Sequence, residues 1–102
     1  MEVYTIEQRL NYITDSKVRK TAEELLEEIR DWDKENILIE PIKYAISIKV
    51  SGRVFMYLEP RRKHFLVSTY DNESKWTGFP ILQSEDLDEV KILLKGNYEK
   101  FK

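Results

Sequence analysis

A chain of 102 residues has room for one hydrophobic core and too little for two, so a single domain over residues 1–102 is expected. Its 17 basic and 19 acidic residues leave a net charge of -2, which argues against a surface built throughout to hold nucleic acid but allows a local basic patch. Cysteine is absent, which excludes disulfides, thiolate catalysis and thiolate metal sites, and nothing points to an oxidising compartment.

Met1-Glu2-Val3-Tyr4-Thr5 lacks the basic start and apolar run of a secretory signal. No segment approaches the roughly 20 apolar residues that span a bilayer. A cytoplasmic protein without a membrane partner is therefore expected. Thr5 and Gln8 have the spacing of a capping box, opening a short helix over about 6–12 that offers Ile6, Leu10 and Ile13 to a core. Asp15-Ser16 offers a second cap. Val18, Ala22, Leu25, Leu26, Ile29 and Trp32 then recur with helical spacing, while Glu23, Glu24, Glu27, Glu28 and Asp31 make the other face acidic and solvated.

Asn36 breaks that helix, and Ile37-Leu38-Ile39 before Pro41 reads as a short edge strand, because proline has no amide to give to a ladder. Residues 43–50 and 53–59 flank Ser51-Gly52, a two-residue hairpin turn. Pro60-Arg61-Arg62-Lys63 turns the chain into a third strand over 64–70. With Val50 facing Arg53, Ile48 is expected opposite Phe55 and Ile46 opposite Tyr57, with Phe65 and Val67 joining them on an inner face. The other face then collects Ala45, Ser47, Lys49, Val54, Met56, Leu58, His64, Leu66, Ser68 and Tyr70.

Asp71 to Ser74 reads as a polar loop, and a last short strand is placed over 79–83. Ser84 is expected to cap the final helix, whose first turn holds Glu85, Asp86 and Asp88, where negative charge complements the helix dipole. Leu87, Val90, Leu93, Leu94, Tyr98 and Phe101 line one side of it, and Gly96 is expected to fray or bend its end. The fold class that follows is α+β, in the order ααβββ(β)(β)α. It has two layers, a mostly antiparallel sheet of four or five strands with the helices on one face.

Tyr4-Thr5-Ile6-Glu7, the Glu-rich helix, the Ser-Gly hairpin after Lys49, Phe55, Glu59-Pro60 with its basic turn, Trp76 with Gly78, and Ser84-Glu85-Asp86-Leu87-Asp88 occur in that order. Together they make the chain similar to an uncharacterised prokaryotic domain of unknown function, the one numbered fifty-six fifty-five, whose members are often labelled "predicted transport protein". Such domains often stand at the end of longer proteins, sometimes beside nuclease-like modules, so the resemblance implies an isolated domain here. It brings no catalytic residues with it. The chain also departs from it, with Ser74-Lys75-Trp76-Thr77-Gly78 where similar domains have a longer loop containing a histidine.

His64 is the only histidine and stands beside three basic residues, which disfavour a bound cation. No Asp-x-Asp or His-Glu-x-x-His pattern supports a metal, the three glycines at 52, 78 and 96 form no phosphate loop, and no Gly-x-Ser-x-Gly elbow is present. No catalytic residue, metal site or cofactor is therefore assigned, and enzymatic activity is disfavoured.

Three functional readings order themselves from this pattern. The first is a non-catalytic interaction module, able to self-associate into a homodimer, whose partner surface is Val54, Met56, Leu58, Leu66, Tyr70 and Trp76. The second is an accessory nucleic-acid binder in which Arg53, Arg61, Arg62 and Lys63 contact phosphates and exposed aromatics stack on bases. The third is an enzyme with a pocket near Trp76. Against the first stands a loop carrying Trp76 and Phe79 that folds over the surface; against the second, a charged turn that merely keeps a hairpin soluble.

Overall fold

Ser51 and Gly52 take φ of 51° and 81°, the pair of positive values that marks a type I′ hairpin turn, and Val50 faces Arg53 as the sequence predicts. The turn joins β2 (Ile46–Val50) to β3 (Arg53–Pro60). The computed structural model describes residues 4–102; Met1, Glu2 and Val3, on which part of the amino-terminal reading falls, lie outside the described residues.

Beyond the turn the register departs from the expected one. Lys49 pairs with Val54, but Ile48 pairs with Met56 and Ile46 with Leu58, which leaves Phe55 as an extra residue in β3. A slip of one residue sends every later side chain to the other face. Met56 and Leu58 therefore join Ile46, Ile48 and Phe55 in the core, all at 0 % exposure, and Tyr57 turns outward beside Ser47 and Ser68. This overturns the placement of Met56 and Leu58 on the outer face and of Tyr57 on the inner one.

Five antiparallel strands lie side by side in chain order: β1 (Ile37–Pro41), β2, β3, β4 (Phe65–Tyr70) and β5 (Trp76–Ile81). Pro41 is in the edge strand β1, as a residue without an amide requires. β5 begins three residues earlier than the sequence suggests, because Trp76 pairs with Tyr70 and Thr77 with Thr69. On β4, Phe65, Val67 and Thr69 are buried and alternate with half-buried Leu66, Ser68 and Tyr70.

The helices cover one face of this sheet, giving two layers. Helix α1 (Ile6–Leu10) is shorter than expected but has the predicted capping box, with Gln8 N–H donating to Thr5 Oγ1 at 3.0 Å and Thr5 N–H to Gln8 Oε1 at 3.0 Å. Asp15 caps α2 (Ser16–Trp32), accepting from the amides of Lys17 and Val18. From α2, Leu25, Leu26 and Ile29 enter the core. Each such side chain contributes about 1.5–3 kcal/mol by leaving water.

Ser84 does not cap the last helix. It opens a single 3-10 turn over Ser84–Asp86, where the Asp86 carboxylate accepts from the amides of Leu82 and Gln83, and α3 (Leu87–Phe101) follows. That helix passes Gly96 without a break, since packing of Leu94 and Tyr98 on either side offsets the low helix propensity of glycine.

Two aspartates fasten the loops. Asp33 accepts from the Asn36 side chain at 3.0 Å and from the Tyr98 hydroxyl at 3.2 Å, and the Asn36 donors foremost hold its carboxyl below the usual range. Asp71 accepts from the amides of Lys75 and Glu73 and from the Thr77 hydroxyl, and the Lys75 amide foremost lowers it too. A depressed carboxylate contributes stability that is complete above the unfolded value near pH 4 and is lost as pH falls through the lower folded value. Urea midpoints measured between about pH 6 and 2 should fall on the acid side, and the fall should be shallower in Asp33→Asn and Asp71→Asn.

Candidate interaction surface

With the helices on one side, the other side of the sheet presents alternate residues of each strand. Leu38 and Glu40 come from β1, Ser47 and Lys49 from β2, Val54, Tyr57 and Glu59 from β3, Leu66, Ser68 and Tyr70 from β4, and Trp76 from β5. At one end of this face the rings gather. The Trp76 ring lies 5.0 Å from Tyr70 and 5.7 Å from Tyr57, edge-on to both. Phe101, from the end of α3, meets Tyr70 at 5.8 Å, again edge-on. Such tilted contacts match the positive edge of one ring to the negative face of the next.

The cluster is only partly buried. Trp76 remains 43 % exposed and Leu38 53 %. Toward β1 the face turns polar, with Lys49 pairing Glu40 at 3.3 Å. The face thus carries aromatic rings at one end and an ion pair toward β1.

Of the six residues expected on this surface, Val54, Leu66, Tyr70 and Trp76 lie on the outer face, and Met56 and Leu58 are inside. Tyr57 and Phe101 were not foreseen. A Tyr between Met56 and Leu58 breaks a run of aliphatic residues, but without the bulge that difference does not reveal a face. Thr77 and Phe79 point inward from β5, so the Trp76 loop does not fold back over the sheet; Trp76 lies in the sheet itself.

The basic residues do not form one stripe. Arg53 is at the start of β3, with its guanidinium 4.9 Å from the Phe101 ring centre, and Arg61 follows the far end of the same strand. Arg61 is paired with Glu59 at 3.0 Å, and the Arg62 carbonyl accepts from both the amide and the hydroxyl of Thr14, which fixes the turn against the connection between α1 and α2. Lys63 is exposed and His64 half-buried. Arg61, Arg62 and Lys63 share the turn after β3, and Arg53 stands at the other end of that strand.

A cavity of about 390 Å3 opens where β3 ends, lined by Gln8, Arg9, Tyr12, Tyr44, Glu59, Pro60 and Arg61. Trp76 does not line this cavity, to which Arg61 contributes. Among the described residues no group of three or more His, Asp or Glu side chains is placed to hold a metal, and no helix is long and apolar enough to cross a membrane. No protein-family model, curated protein or solved structure matches the chain.

Proposed function

We propose that the chain is a small non-catalytic interaction module that joins to another protein surface, a second copy of itself in the simplest case, through the outer face of its sheet. The supporting observation is the partly exposed ring cluster of Trp76, Tyr57 and Tyr70 on a sheet face that no described helix covers. Rings of this kind are the commonest anchors of protein contacts, because each removes a large area from water at little rotamer cost. The Lys49 and Glu40 pair gives the same face both signs of charge, so two copies related by a two-fold axis can meet without like charges opposed. The proposal places the module in the cytosol on its cysteine-free composition. The resembled prokaryotic domain supplies no residue roles, so the reading rests on the surface.

Light scattering across a concentration series tests it. The wild type should shift from monomer toward dimer in the range of about 10–500 μM, and Trp76→Ala or Leu66→Asp should move that midpoint up by roughly tenfold or more. A wild type monomeric throughout, whose Trp76 and Leu66 variants behave identically in pull-downs of defined candidate partners, would reject the reading.

A further inference from the structure

Arg9 and Arg61 are far apart in the chain, and the fold brings both to the wall of the cavity at the end of β3. They differ in how they are held. Arg9 donates from Nη1 to the Lys43 carbonyl and its guanidinium lies 4.7 Å from the Tyr4 ring centre, so the group is oriented before any ligand arrives. Its Nε is buried with no hydrogen-bond partner among the described residues, an unmet donor of a kind that folded chains seldom keep. Among the described residues the Arg61 guanidinium pairs with Glu59, in a half-exposed ion pair worth little in water.

The remaining wall is aromatic. Tyr12 is 56 % exposed and Tyr44 73 %, two large rings left at a cavity mouth. Lys43 and Arg62 are next in the chain to lining residues, with Lys63 following, and Glu59 is the one carboxylate among the described lining residues, a balance that favours an anion over a cation.

We propose that this cavity binds a small molecule in which a phosphate or carboxylate is attached to a flat ring. The oxyanion bridges the Arg9 and Arg61 guanidinium groups, and the ring lies against Tyr12 and Tyr44. Guanidinium forks match the planar pair of oxygens that either anion presents, and tyrosine faces accept a flat ring without demanding one particular base or substituent. A volume of about 390 Å3 is in the range of small-molecule sites. In the free protein Glu59 occupies the place of the anion at Arg61, and the ligand must displace it.

That competition makes the site testable with variants of opposite sign. Adenosine monophosphate is the probe in an amide-resolved NMR titration, with inorganic phosphate, adenosine and benzoate titrated separately. Saturable shifts confined to Arg9, Tyr12, Tyr44 and Arg61 are expected, with Kd below about 1 mM. Arg61→Gln and Tyr44→Ala, both at exposed positions, should weaken binding by about tenfold each, while Glu59→Gln should tighten it by a few-fold by releasing Arg61. Benzoate binding as well as the nucleotide assigns the site to oxyanions in general; nucleotide binding alone assigns it to phosphate. The proposal is overturned by absence of saturable shifts, by inorganic phosphate binding as well as the nucleotide, which is an adventitious ion only, or by Glu59→Gln weakening binding as Arg61→Gln does.

Discussion

Met56→Asp should prevent the chain from folding, and Leu66→Asp should leave it folded. Both residues are apolar, both sit in the central strands, and the simple alternation of the sequence puts them on the same outer face. The extra residue at Phe55 separates them: Met56 is at 0 % exposure under the helices, and Leu66 is half-buried on the open side. A carboxylate at position 56 loses the packing of the thioether and must either enter the core charged or remain protonated. The combined cost is more than about 5 kcal/mol, comparable with the ~5–15 kcal/mol that holds a domain of this size together. At position 66 the same change costs at most about 1 kcal/mol, the spread of strand preferences. Circular dichroism with urea titration reads the difference directly. A folded Met56→Asp variant with a near-normal midpoint would mean that the bulge is absent and the outer face is the one alternation predicts.

Thr69→Val should destabilise the fold by about 2–4 kcal/mol, although it swaps one β-branched residue for another of the same shape. The Thr69 hydroxyl donates to the Phe55 carbonyl at 2.7 Å and accepts from Asn97 Nδ2 at 2.8 Å, and the same amide donates to the Tyr70 carbonyl at 2.9 Å. Neither register pairs Phe55, and the Thr69 hydroxyl meets its carbonyl at the bulge, where a polar group left unmet in the core would be costly. Valine removes the hydroxyl, so the Phe55 carbonyl loses its bond to it and the Asn97 amide keeps only the Tyr70 carbonyl, each loss at about 1–3 kcal/mol. The expected result is a lower urea midpoint with an unchanged slope, since the folded surface stays the same. Thr69→Ser keeps the hydroxyl and should fall by much less. Equal losses in the two variants would assign the effect to packing of the methyl and remove the hydrogen-bonded support of the bulge.

These two residues also mark the boundary of what could be read from the chain. Helix α2 was legible because its apolar positions repeat every three or four residues, and the β2 to β3 hairpin because Ser51-Gly52 has few other uses. Pro41 indicated an edge, and the capping residues Thr5 and Asp15 stand where local spacing put them. Ser84 misled for a local reason. Asp86 takes the neighbouring amides in its place, and a short polar run offers several side chains for the same role.

Strand alternation failed at one point, and one point was enough. A bulge changes no residue's propensity and leaves no mark on hydrophobic period until the next strand supports it, and here the Thr69 hydroxyl of β4 donates to the Phe55 carbonyl while Asn97 of α3 donates to that hydroxyl. The same is true of the cavity: Arg9 and Arg61 carry ordinary signals in their own surroundings and become a pair only when the β3 to β4 turn is tied to Thr14.

The sequence by itself determined the element order, the sheet-and-helix layering and the identity of most of the core, because those follow from short-range periodicity and from turn residues with narrow conformational choice. The tertiary structure alone decided that Tyr57 and Phe101 join Tyr70 and Trp76 in the outer ring cluster, where the guanidinium groups converge and how the bulge is supported. Each of these depends on hydrogen-bond partners many residues away, whose free energy is set by burial and not by the neighbours in the chain.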